Sequence, residues 1–156
     1  MTDYFALLQQ PRKPWLDPEQ LKQKYHELAR QSHPDKNVNE AHRVLADPKS
    51  RLQHLLALEG VVLAASSNEI PEELSDLFME VAPALNKIDN PNVKSVDDLI
   101  ARVTQLYDQA LAELQRVDSR WRKQLPLLEK LYYRISYLTR WQTLLDERVF
   151  QLSTAP

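Results

Sequence analysis

A single glycine, Gly60, serves all 156 residues. Strand-rich folds turn through positive-φ hairpins, and phosphate-cradling loops bring backbone against ligand. Both lean on glycine, so both are disfavoured here. Leu, Ala and Gln are the commonest residues instead, and apolar side chains recur at three- and four-residue spacing almost throughout. The chain is expected to be all-α.

Its length fits one large or two small domains, since domains commonly run to about 100–150 residues. Twenty Lys and Arg nearly balance 22 Asp and Glu. Residues 1–60 carry nine basic and eight acidic side chains, and residues 61–156 carry eleven and fourteen. Neither half has the basic excess that a nucleic-acid binder sets against phosphate. The absence of cysteine excludes disulfides, a Cys-ligated zinc site and direct Cys ligation of an iron–sulfur cluster. There is no run of about twenty apolar residues and no basic-then-apolar start. No membrane contact is expected, and the protein is expected to be soluble and cytoplasmic.

Residues 4–9 read as a short first helix. A second, over 18–32, opens on Asp17-Pro18-Glu19-Gln20. Asp17 caps the free N–H groups, Pro18 suits the first helical position, and Gln20 completes a capping box. Leu21, Tyr25, Leu28 and Ser32 share one face, with Lys22, Lys24 and Arg30 elsewhere. Pro34 stops the helix, because it disfavours an α conformation at His33 and donates no backbone bond. A basic helix therefore runs into a rigid loop, His33-Pro34-Asp35-Lys36, that presents an imidazole and a carboxylate. A third helix spans about 38–46. A fourth runs from Lys49 to about Glu59 on Leu52, Leu55, Leu56 and Leu58, and Gly60 closes it as a C′ cap. Residues 61–69, with Ala64-Ala65-Ser66-Ser67-Asn68, read as a linker.

The remaining residues read as three helices. Pro71 to about Ile88 is the first, with a kink or break expected at Pro83. The second starts at Ser95, capped with Asp98, and sets Val96, Leu99, Val103, Leu106, Ala110 and Leu114 on its apolar face. The third begins near Asp118-Ser119 and continues through Leu128, Leu131, Ile135, Leu138, Leu145 and Val149. Such seams suit helices packed nearly antiparallel. The turn between the last two is short, which favours a three-helix bundle over an extended coiled coil.

Around the His-Pro-Asp loop the order of motifs is informative. Asp3-Tyr4-Phe5-Ala6-Leu7-Leu8 precedes the basic helix, and Asn39-Glu40-Ala41-His42-Arg43-Val44-Leu45-Ala46-Asp47-Pro48 follows the loop. This set, over the first sixty or so residues, resembles the J domain of DnaJ-type co-chaperones. The resemblance implies a helical hairpin that docks on an ATP-bound DnaK-type chaperone and triggers hydrolysis there. It makes His33, Pro34 and Asp35 the trigger, and Lys22, Lys24, Arg30 and Lys36 the candidates for the docking face. Tyr25 and Leu28 would belong to the core. Ser32 stands where many J domains have Tyr.

One departure affects the hairpin. J domains usually have a longer stretch between the loop and the Asn-Glu-Ala-like motif, including the first half of the third helix. Here only Asn37-Val38 separates Lys36 from Asn39, which leaves little chain for the two helices to pair along their length. Either the chain carries a deletion, or a disordered loop is left out of the numbering. The intact flanking motifs favour the second.

The C-terminal half narrows the resemblance. It lacks the glycine-rich and cysteine-rich segments of general folding J proteins, and a J domain followed directly by a three-helix bundle resembles the HscB-type iron–sulfur co-chaperones. Asp3-Tyr4-Phe5, the stretch from Arg51 to Gly60, Leu77-Phe78-Met79-Glu80, Glu27, and Trp121 placed before Lys130-Leu131 all resemble that family. The implied organisation is a J domain at 1–60, a linker at 61–69 and a client-binding bundle at 70–152. The resemblance further implies an HscA-like ATPase partner and an iron–sulfur scaffold protein as client. The client would be held on an apolar patch that matches Phe78, Met79, Ala82 and Tyr133. Pro83 and Asn86 stand where acids would ring that patch, and Phe78 and Met79 also suit bundle core.

Chemistry of the chain's own is not expected. Ser32, His33 and Asp35 are triad residue types, but triad side chains converge from separated segments, which sequence neighbours cannot do. His26, His33, His42 and His54 show no regular ligand spacing, so no metal or cofactor is expected. The reading is a non-enzymatic activator of a partner ATPase.

Overall fold

The computed structural model describes residues 1–31, 33–64, 70–86 and 91–154. Every α-helical or strand element among them is α-helical: α1 (Tyr4–Leu7), α2 (Pro18–Ala29), α3 (Val38–Ala46), α4 (Pro48–Leu58), α5 (Ser75–Leu85), α6 (Val93–Val117) and α7 (Leu125–Thr154). Single 3₁₀ segments lead into α5 and α7. The all-α expectation holds. The chain divides into two compact units, residues 1–64 with 113–132, and 65–112 with 133–156.

In the first unit the helix starts are written in the local sequence. Asp3 accepts the Phe5 and Ala6 N–H groups, Asp17 those of Glu19 and Gln20, and Asp47 that of Ser50. Pro18 and Pro48 fill first-turn positions where no N–H is needed. Gly60, at φ +79°, ends α4 as expected. Its N–H donates to Ala57 O and that of Val61 to Leu56 O, satisfying two orphan carbonyls. Gln9 closes α1 in the same way at φ +52°, so this helix stops at Leu7 rather than at residue 9.

Helix α3 is central to this unit and packs on α1, α2 and α4. Ala41, Val44 and Leu45 are buried alongside Phe5, Leu8, Leu21, Leu28, Leu52, Leu55 and Leu56. Full burial of such side chains contributes roughly 1.5–3 kcal/mol each. Arg51 is buried as well, and its guanidinium donates to Pro14 O and Leu45 O, both at 2.8 Å. Leu114, Val117, Trp121, Leu128 and Leu131 are buried in the part contributed by 113–132, and Arg122 reaches Glu59 at 3.4 Å. Glu59 also lies 3.6 Å from Arg12, which binds Asp3 at 2.7 Å.

The expectation that too little chain remains for α2 and α3 to pair is corrected. Helix α2 stops at Ala29, and α3, starting at Val38, packs against it. The Tyr25 ring stacks on His42 and its hydroxyl donates to Asn39. Ser32, assigned above to the α2 face, lies outside the described residues.

In the second unit α5 buries Leu77, Val81 and Ala84, with Leu74 just ahead of it. These meet Val96, Leu99 and Val103 of α6 and Leu138, Trp141 and Leu145 of α7. Three contacts fix the register of α5 on α7. Arg134 pairs with Glu73 at 3.1 Å, Phe78 faces Trp141, and Arg148 donates to Ala84 O at 3.2 Å. Partners rise together along both helices, so α5 and α7 are parallel and the order is up-down-up. Pro83 does not break α5 at its own position, but the helix ends two residues later, at Leu85. Arg148, buried, serves the carbonyls of Ala84 and Asn86 there. The expected continuation to Ile88 falls outside the described residues.

Candidate functional site

His33, Pro34, Asp35 and Lys36 are all exposed at the turn of the α2–α3 hairpin. The turn is built from both sides. Arg30 and Gln31 donate backbone N–H groups to His26 O and Leu28 O as α2 ends. Asp35 then accepts twice. Its Oδ1 takes the Asn37 N–H at 2.8 Å, and its carbonyl takes the Val38 N–H at 3.1 Å. Val38 is buried, so the exposed loop is tied to the core three residues on.

Behind the loop, the Tyr25 and His42 rings lie 4.1 Å apart. Tyr25 is half-buried at this seam, serving packing as the resemblance implied, and Leu28 is core. Burial first, and then the charge of nearby His26, holds the His42 imidazole below the usual histidine range.

The candidate cations do not share one face. Lys22 and Arg30 are exposed and align with exposed His26 at i, i+4 and i+8. Lys24 points to a different flank, half-buried, with its Nζ 2.9 Å from Glu27 Oε2. The outward stripe of α2 is therefore Lys22, His26 and Arg30, with Lys36 in the loop. His26 was missed from sequence, although its four-residue spacing to both cations was the signal.

On α5, Met79 is 71% exposed while Phe78 is half-buried. The Phe78 ring lies 6.2 Å from Trp141, and Tyr137 lies 5.8 Å from the same indole. Ala82 is half-buried on the outer side of the helix. Tyr133 lies on α7 beside Arg134. It neighbours the Arg134–Glu73 level, two turns or about 12 Å along α7 from Trp141. Pro83 and Asn86 are exposed and uncharged. Acids stand one face round, where Glu80 and Asp98 border a cleft of about 590 Å³ with Pro83, Ala84 and Leu99, and Glu80 pairs with Arg102 at 2.6 Å.

Among the described residues, no group of three His, Cys, Asp or Glu is placed to hold a metal. No described helix is long and apolar enough to cross a membrane.

No protein-family model matches the chain. The co-chaperone protein HscB of Proteus mirabilis (strain HI4320) is 33% identical over 79 residues, covering 40% of this chain and 46% of that protein. The match thus spans about half the relative's length. The solved chaperone HscB from Vibrio cholerae superposes with a TM-score of 0.72 at 19% identity, over 97% of this chain and 99% of that one. The chain therefore resembles HscB in sequence over part of its length and in fold over nearly all of it. Human co-chaperone HscB agrees, with a TM-score of 0.75 at 17% identity over 99% of this chain and 83% of that one. The HscB-like fold therefore runs through both the hairpin and the bundle, although the sequence identity of these two structures is low.

Proposed function

We propose that this chain is a J-type co-chaperone that stimulates ATP hydrolysis by a DnaK-type, HscA-like chaperone and delivers a client through its C-terminal bundle. The client is an iron–sulfur scaffold protein, and the site of action is the cytoplasm. The observation that carries the reading is the exposed His33-Pro34-Asp35 loop, closing a hairpin whose outer stripe is Lys22, His26 and Arg30. Basic side chains on an open helix face steer encounter with an acidic partner. The loop then offers an imidazole and a carboxylate at a fixed place. The hydrolytic chemistry belongs to the partner, and no residue here is catalytic.

Single-turnover ATP hydrolysis by a DnaK-type chaperone from the same cell tests this, with and without the protein. The expected result is stimulation that is lost in His33→Gln and Asp35→Asn. Absence of stimulation by the unaltered chain would leave an interaction module lacking ATPase activation.

A second reading keeps the activity and changes the client. Pro83 and Asn86 remove charge from the outer side of α5, and Tyr133 lies two turns from the Phe78–Trp141 level. Capture of the scaffold by the immobilised chain separates the two. Retained ATPase stimulation without scaffold capture would favour a different client.

A further inference from the structure

The residue just before α3, Asn37, makes no side-chain cap bond, so the helix start receives nothing from the usual position. Asp35 supplies the turn instead, through its Oδ1 and its own carbonyl. The chain between Asp35 and buried Val38 is only Lys36-Asn37. On the other side, Pro34 restricts the backbone through its ring. Asp35 is thus held from both directions while remaining exposed to a partner.

We propose that Asp35 is a positioning residue for the start of α3 as well as the loop's anionic contact, and meets its partner as a pre-oriented carboxylate. The contact half rests on the co-chaperone reading above, whereas the positioning half stands without it. A side chain already held in one orientation loses less freedom when it binds. With Oδ1 held by the Asn37 N–H, the carboxylate keeps lone pairs on both oxygens for a lysine ammonium or an arginine guanidinium.

Three substitutions in the full chain separate the two roles. Asp35→Asn keeps a side-chain oxygen at the same reach and loses the charge. Asp35→Glu keeps the charge on a longer arm that does not close this turn, and Asp35→Ala keeps neither. Two readouts are needed: amide hydrogen exchange at Asn37 and Val38 by NMR, and single-turnover stimulation of a DnaK-type chaperone. Asn is expected to preserve protection and abolish stimulation. Glu and Ala are expected to speed exchange at Asn37 by about fivefold, the scale of a lost cap. In Glu, stimulation should fall with it despite the retained charge.

Wild-type exchange rates in both Glu and Ala would overturn the positioning role. Full stimulation by a Glu variant with a frayed α3 start would overturn the pre-orientation. If protection follows the expected pattern but the unaltered chain stimulates nothing, the co-chaperone reading falls and the positioning role stands.

Discussion

The backbone N–H of Tyr4 donates to Nε2 of His54, 3.1 Å away and 50 residues along the chain. The imidazole also stacks on Tyr4 at 4.7 Å and on Phe5 at 5.8 Å. An imidazole nitrogen accepts only when it carries no proton, so this arrangement requires a neutral ring protonated at Nδ1. Burial pushes the His54 pKa down, with Asp3 opposing and Arg12 adding to the shift. The start of α1 is therefore docked on a titratable group.

Stability should weaken on mild acidification for this reason. The folded pKa lies below the ordinary 6.5, so the unfolded chain takes up the proton first. The contribution is complete above that ordinary value and is lost as pH falls through the lower folded pKa. One such bond is worth about 1 kcal/mol. Urea melts at neutral and mildly acidic pH should show a smaller pH dependence in His54→Phe, which keeps the stacking and removes the acceptor. His42 is shifted in the same direction and leaves a residual slope. An unchanged slope in the variant would rule out His54 as the sensor.

Arg51 should tolerate no replacement well. Its Nε and Nη1 serve Pro14 O and Leu45 O from a buried position. Lysine has a single ammonium and cannot reproduce that planar reach. Arg51→Lys is expected to cost about 2 kcal/mol and Arg51→Met a similar amount, because buried carbonyls lose their donors. Chemical denaturation measures both, and a loss below about 0.5 kcal/mol, the range of ordinary surface changes, would contradict the role.

Two helix ends should respond oppositely to glycine. Gln9 closes α1 at φ +52°, where an L side chain is strained, so Gln9→Gly is expected to raise stability by about 0.5–1 kcal/mol. Gly60→Ala should lower it by about 1 kcal/mol for the same backbone reason. A Cβ at Gly60 meets nothing within 4 Å, so the change isolates the backbone term. Urea midpoints of the two variants moving the same way would contradict this account.

Phe78 and Met79 are adjacent in sequence but should separate in experiment. Met79→Ala is expected to leave stability within about 0.5 kcal/mol, since the side chain is 71% exposed, and to weaken client capture. Phe78→Ala removes a ring packed on Trp141 and should destabilise the fold by about 2 kcal/mol. Thermal melts and client pull-downs on both variants read the two effects independently. Equal destabilisation by both would show that Met79 is also packed.

Helix content, the cap at Asp17, the turn at Gly60 and the position of the His-Pro-Asp loop were legible in the sequence. Each depends on residues within about one helical turn, where a side chain and the backbone group it satisfies are chain neighbours. Length estimates for α1 and α2 ran long. Periodicity continues past the point where the backbone stops bonding, and Gln9 and Arg30 carry no strong stop signal.

What the sequence by itself determined was the class of fold, the local caps and which residues the loop presents. Glycine scarcity, apolar periodicity and Pro34 act locally, so they could be read one segment at a time. Only the tertiary structure decided that His54 holds the Tyr4 N–H and that Phe78 meets Trp141. These relations follow from the register of one helix on another. Register is set by many side chains interdigitating at once, a sum over distant residues that no single window of sequence contains.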